Sequence, residues 1–148
     1  MLKKIIIFLV LVFIIIQFIR PAKNIAARGP QHIEALYTMP DTVKAIMRVA
    51  CYDCHSDSTR YPWYNQVQPV AWWLNHHISE ARGELNFAQF GTYSKQKQVK
   101  KLQKTVKAVT KGWMPLDSYL WIHKDAKLSP EQAKMVADWA NSTIAQIQ

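Results

Sequence analysis

The sequence predicts an all-α protein. Along several stretches apolar residues recur at intervals of three and four, the helical period. Only four glycines occur, and none of Gly29, Gly83, Gly91 and Gly112 falls in a GxGxxG or GxxxxGK[ST] loop, which argues against nucleotide-binding α/β folds. At 49% apolar and 11% aromatic, the chain is too rich in core-forming residues to be disordered. The length of 148 residues suits one domain, and two cysteines cannot make a disulfide scaffold. Lys and Arg number 19 against 10 Asp and Glu, a net charge of +9.

The first element is the apolar run IIIFLVLVFIIIQFI at residues 5–19, broken only by Gln17. Lys3 and Lys4 precede it; Arg20 and Pro21 close it. It is shorter than the roughly 20 residues of a full span, though Leu2 and snorkelling lysines extend it. The layout fits an uncleaved signal anchor or a cleaved signal peptide. Ala26 and Ala27 follow Ile25, where a cleavage site wants a second small residue, so the anchor is favoured. The expected organisation is therefore an anchor at 1–20, a tether at 21–40 and a helical domain at 41–148. The tether holds three prolines and is expected to pack partly, through Ile33, Leu36 and Tyr37.

A helix is predicted to start at Pro40-Asp41-Thr42 with Asp41 as N-cap. Val43, Ile46, Met47 and Ala50 form its apolar stripe, which leads directly into Cys51. The only two cysteines occur as Cys51-Tyr-Asp-Cys54-His55. This C-x-x-C-H spacing is the attachment signature of c-type haem. Positions i and i+3 of a helical turn face the same way, so two thiols can each add to one of the two vinyl groups of a porphyrin. His55, next along, can turn its imidazole onto the iron as the proximal ligand. A thioredoxin-like disulfide would want a βαβ context, and zinc would want further ligands. Haem attachment of this kind takes place outside the cytoplasm. The expected location is thus the inner membrane, single-pass, with the domain on the periplasmic side; flanking charges alone leave the orientation open.

Residues 56–68 read as loop, and their bulky Tyr61, Pro62, Trp63 and Tyr64 either wall the haem edge or fill core. A second helix is expected from Pro69, with Val70, Trp73, Leu74, His77, Ile78 and Ala81 on one face and Gly83 as its stop. A third spans 94–111, where Val99, Leu102, Val106 and Val109 form a stripe and Lys97, Lys100, Lys101, Lys104, Lys107 and Lys111 lie opposite. The last begins at Ser129-Pro130-Glu131-Gln132, with an N-cap serine, proline at N1 and glutamine at N3.

The second axial position is open between two residues. Met114, in Gly112-Trp113-Met114-Pro115, lies in a loop that can bring its sulfur to iron. Met39 and Met47 lie upstream of the motif, and Met135 lies inside the last helix. His77 is the rival, on an apolar helix face where a lone histidine is commonly a core residue. His76 points off that face, and neither His32 nor His123 has a supporting pattern.

Cys51-Tyr-Asp-Cys54-His55-Ser56, Tyr61-Pro62-Trp63-Tyr64, Met114-Pro115-Leu116 and Ser118-Tyr119-Leu120-Trp121 together resemble the bacterial haem-binding domain family of small membrane-anchored proteins, over roughly residues 38–145. More distantly, the order of elements resembles class I cytochrome c. The resemblance implies a cytochrome c-like helical fold with one covalent haem, Cys51 and Cys54 attached to it, His55 proximal and Met114 distal. Two functions then compete. One is a membrane-tethered electron carrier, whose lysine-rich helix 94–111 docks an acidic redox partner or lies against anionic lipid. The other is a haem sensor or peroxide-handling protein with an open or displaceable distal position. Nucleic acid is not an expected partner.

Overall fold

The computed structural model describes residues 1–148 as eight α-helices and three short 3-10 turns, with a single isolated β-bridge. The chain is all-α.

The N-terminal apolar run forms α1 (Leu2–Ile16), none of whose residues is buried. At 1.5 Å per residue it is about 22 Å long, against about 30 Å for a bilayer's hydrocarbon core. No helix of the protein is long and apolar enough to cross a membrane. Gln17, the one polar break in the run, ties the end of α1 to the domain. Its side chain accepts from Gln68 N–H at 2.9 Å and donates to Gln68 O at 3.3 Å. Beside it, Gln68 Nε2 and Trp72 Nε1 both donate to Ile19 O, at 3.0 and 2.8 Å.

Residues 21–40 run across the domain. Ala26 N–H donates to Asp57 O at 2.7 Å and Thr59 N–H to Asn24 O at 2.9 Å, around the Ile25–Ser58 bridge. A single turn, α2 (Ile33–Leu36), follows. Ile33 is fully buried and Tyr37 is half-buried, with its hydroxyl donating to Gln98 Oε1 at 2.7 Å. Leu36, expected to pack, is exposed, whereas His32 and Met39 are buried.

The helix α3 (Asp41–Ala50) buries Val43 and Met47. Its N-cap is Pro40, not Asp41; Asp41 is the first helical residue, and its carboxylate pairs with Lys44 at 2.9 Å. After Cys51 comes the single turn α4 (Tyr52–His55). α5 (Val70–Glu84) begins beyond Pro69. It passes through Gly83 and ends because Leu85, buried, turns extended to enter the core with Phe87 and Phe90. Gly83 itself faces open space and does not stop the helix.

α6 (Lys95–Thr110) starts at Ser94, whose hydroxyl accepts from Lys97 N–H at 3.3 Å. It ends at Gly112, where φ is +69°. Trp113 N–H reaches back to Ala108 O at 2.9 Å and Gly112 N–H to Val109 O at 3.3 Å, the two bonds of a Schellman stop. The short α7 (Asp117–Leu120) follows. α8 (Pro130–Ile147) opens with the full capping box: Gln132 N–H donates to Ser129 Oγ at 3.2 Å, and Ser129 N–H donates to Gln132 Oε1 at 2.9 Å.

α6 lies along α8, α3 packs on α8, and α4 packs on α5. The core between them holds Ile33, Met47, Phe87, Phe90, Leu102 and Val136. Fully burying side chains of this size is worth about 1.5–3 kcal/mol each. This core backs α4 and so holds Cys51–His55 against α5.

Candidate functional site

The site starts at the joint between α3 and α4. Cys51 has left the helical region (φ −128°, ψ −46°), but its carbonyl accepts from Cys54 N–H at 3.3 Å and from His55 N–H at 2.9 Å. One turn thus carries both thiols and the imidazole. The cysteines are partly buried and are not joined to each other. Burial, with Cys54 alongside, pushes the Cys51 thiol up to about 12. Burial, with the Asp53 charge alongside, pushes Cys54 up to about 11. Both are therefore neutral thiols at physiological pH.

His55 is oriented by α5. Its Nδ1 lies 3.1 Å from Ala81 O and 3.0 Å from Leu85 O. Two carbonyls on one nitrogen assign the proton to Nδ1 and leave the Nε2 lone pair free. Burial lowers the pKa of His55, outweighing the two carbonyl contacts. The ring is thus held neutral, the form that binds a metal.

Three adjoining hollows surround this turn. The first, of about 140 Å³, is lined by Cys51, His55, Leu85, Phe87, Val109 and Met114, together with Lys101, Lys104, Thr105 and Ala108. The second, of about 60 Å³, shares Cys51, His55 and Met114 with it and adds Cys54, His77 and Tyr119. The third, of about 430 Å³, shares Cys54, His77 and Tyr119 with the second and opens between Trp63, Trp73 and Trp121. The structure therefore brings Cys51, Cys54, His55 and Met114 together in the lining of the second hollow. His77 also reaches the second hollow, with its Nδ1 3.0 Å from Trp73 O. Met114 is 36% exposed, on the loop that the Schellman stop directs out of α6. Trp63 is 79% exposed and lines the third hollow, so it walls the cleft rather than filling core.

Several residues that build the site carry no local signal in the sequence. Asp53, inside the motif, accepts from Arg60 Nε and from Tyr119 OH, both at 3.1 Å. Tyr119 belongs to α7, so Asp53 ties the chain just after Met114 to the motif. Tyr119 stacks on His123 at 4.2 Å, and Tyr64 OH lies 2.8 Å from His123 Nε2. Asp57 gathers Arg82, Asn86 and Gln89, which joins the loop after the motif to the end of α5. The available signal was indirect: two of only ten acidic residues stand within two or three positions of the motif histidine or cysteines.

The lysine stripe of α6 is less free than the sequence implies. Glu84, the last acidic residue before a long run without any, takes Lys101 at 3.0 Å and Lys104 at 2.7 Å. Lys97 lies over the Tyr93 ring and Lys107 over Trp113.

A porphyrin needs an apolar slot, an iron ligand with a free lone pair, and anchoring groups on one edge. The Nε2 of His55, left without a protein partner at the wall of a largely apolar cleft beside two free thiols, fits that requirement. No three His, Cys, Asp or Glu side chains group as an ordinary metal-ion site.

An all-helical domain with such a cleft defines a haem-binding protein. The chain belongs to the haem-binding domain family, whose model matches residues 11–142. Comparison with curated proteins and with solved structures gives no match.

Proposed function

We propose that this chain is a c-type cytochrome that carries electrons while tethered at a membrane. One haem would be held through thioether bonds from Cys51 and Cys54, with His55 as proximal ligand and Met114 as distal ligand. Bound there, the haem would supply one-electron ferric–ferrous chemistry. The observation that carries the reading is the His55 imidazole. It is held neutral by burial and oriented by the carbonyls of Ala81 and Leu85, with its other nitrogen free beside both thiols and Met114.

The choice of Met114 over His77 rests on which element each comes from. α5 backs His55, and His77 sits on α5 itself, bonded along it to Trp73 O. Met114 comes from a different element, the Gly112–Leu116 loop, and lines the hollow with His55 and both cysteines, so it would be the second residue to hold the iron. A thioether there raises the potential relative to two imidazoles. The clamp from Asp53 to Tyr119 holds that loop in place.

The apolar α1 would hold the domain at the periplasmic side of the inner membrane, with Lys3 and Lys4 reaching past its end. Fractionation of cells that express the full chain tests this: recovery in the soluble fraction would remove the tether.

The haem assignment is tested by a pyridine haemochrome spectrum of denatured, acid-acetone-washed protein. A retained c-type spectrum that is absent from Cys51→Ala/Cys54→Ala supports it; washed-out porphyrin overturns covalent attachment. The ferric protein should show a methionine–iron charge-transfer band that Met114→Ala removes. The partial exposure of Met114 favours one second reading, a displaceable distal position. Rapid carbon monoxide binding by the reduced wild-type protein, with no such band, would move the assignment to a sensor or peroxide-handling protein.

A further inference from the structure

The face of α6 that meets the first hollow is Lys101, Lys104, Thr105 and Ala108, spaced i, i+3, i+4 and i+7. Two cations in the wall of a mostly apolar cleft need a reason. The Lys101 side chain is only 12% exposed. A desolvated ammonium is costly unless an anion meets it. Glu84 offers one oxygen to both lysines, at 3.0 and 2.7 Å, so two positive charges share one negative charge. Both lysines hold the Glu84 carboxyl down at about 2, with Lys104 the stronger cause. The Glu84 side chain is itself more than half exposed, free to turn toward solvent.

A protohaem-derived ring carries its two vinyl positions on one side and two propionate carboxylates on another. Fixing the vinyl side to Cys51 and Cys54 sends the carboxylates away from them. The first hollow runs from Cys51 and His55 to Lys101, Lys104 and Thr105. We infer that Lys101 and Lys104, with the Thr105 hydroxyl, are the anchor for a haem propionate, and that Glu84 occupies this anchor otherwise. This inference rests on the haem reading above and assigns a function to residues that the reading leaves unused. The ionisable groups lining that hollow are Cys51, His55, Glu84, Lys101 and Lys104, so no other cation competes there. A separate hollow of about 740 Å³, which Met114 also lines, holds Lys111, Lys127 and Lys134 but neither cysteine nor His55.

The test uses the full chain, matured with haem, as wild type, Lys101→Gln, Lys104→Gln, Lys101→Arg, Lys100→Gln and Lys111→Gln. The readouts are the resonance Raman propionate-bending mode and the reduction potential as a function of pH. Lys101→Gln and Lys104→Gln are expected to shift the bending mode. They should also lower the potential and make it pH-dependent in the weakly acidic range, where a propionate without its cation titrates. Lys101→Arg should restore wild-type behaviour, and Lys100→Gln should match wild type throughout. A bending mode and pH profile in both glutamine variants that superimpose on wild type overturn the anchor while leaving haem attachment standing. So does a shift confined to Lys111→Gln. A wild-type chain with no porphyrin absorption brings down the haem reading and the anchor together.

Discussion

At the scale of single residues, the chain separates its C-x-x-C-H motif, which is legible in the sequence, from the residues that position it, which are not. Cys51, Cys54 and His55 stand out because they share one turn at the spacing of a recognisable signature. Asp53 and Tyr119 do not, because they meet across 66 positions and only folding pairs them. His32 is a similar case, with no pattern around it, yet it is 2% exposed. Its Nδ1 accepts from Glu34 N–H at 3.2 Å, so the proton sits on Nε2, which has no partner. Burial lowers the pKa of His32 below 6.5, against the opposing pull of Glu34. The folded protein then binds fewer protons here than the unfolded chain does. The contribution is therefore fully present above the unfolded value of 6.5 and is lost as pH falls below it toward the folded value. Urea denaturation at about pH 7.5 and about pH 5.5 should show a smaller drop in stability for His32→Asn, which keeps an N-cap acceptor without a titrating ring. An identical drop in the two proteins would assign the acid sensitivity to other groups.

At the scale of elements, the long helices and the turn that carries the motif were legible, whereas the turns α2 and α7 were not. α6 and α8 carry their own periodic stripes and caps, Ser94 and Ser129, so local chemistry starts them where the sequence predicts. The turns α2, α4 and α7 are four residues each, too short to form from propensity alone, and exist because neighbours hold them. The end of α5 shows the same limit. Gly83 looks like a stop, but burial of Leu85 and Phe87 decides the boundary. Gly112 is the opposite case, a boundary set locally: at φ +69° it takes a conformation that L side chains avoid. Alanine there costs about 1–2 kcal/mol from the backbone alone, since nothing crowds the added methyl. The stop also aims Met114 toward the motif. Gly112→Ala should thus destabilise the fold by about that amount in denaturant titrations. Under the proposed ligation by Met114, it should also weaken the methionine–iron band of the matured protein. An unchanged band would show that the Asp53–Tyr119 clamp alone sets the loop.

At the scale of the molecule, the surplus of +9 gives the chain a field, and α6 concentrates it. The lysines there divide into two groups. Lys101 and Lys104 turn toward Glu84 at the wall of the cleft, and its one carboxylate offsets part of their charge. Lys97 and Lys107 lie on the surface over aromatic rings, at 4.1 and 5.2 Å from the ring centroids. Together with the exposed Lys100 they form the part of the stripe that we propose steers an acidic redox partner. Replacing Lys97, Lys100 and Lys107 with glutamine should then slow electron exchange with a small acidic redox protein by about tenfold at low ionic strength. The reason to work at low salt is range: screening acts over about 30 Å at 0.01 M but only about 8 Å at 0.15 M. The wild-type rate should fall with added salt toward that of the variant, because screening and neutralisation remove the same attraction. The reduction potential should stay unchanged, since these three side chains do not line the cleft. That separates slower encounter from an altered driving force. Equal rates for the two proteins across the salt range would place any docking surface elsewhere. The aromatic rim of Trp63, Trp73 and Trp121 would then be the side to examine, where the cleft opens without charge.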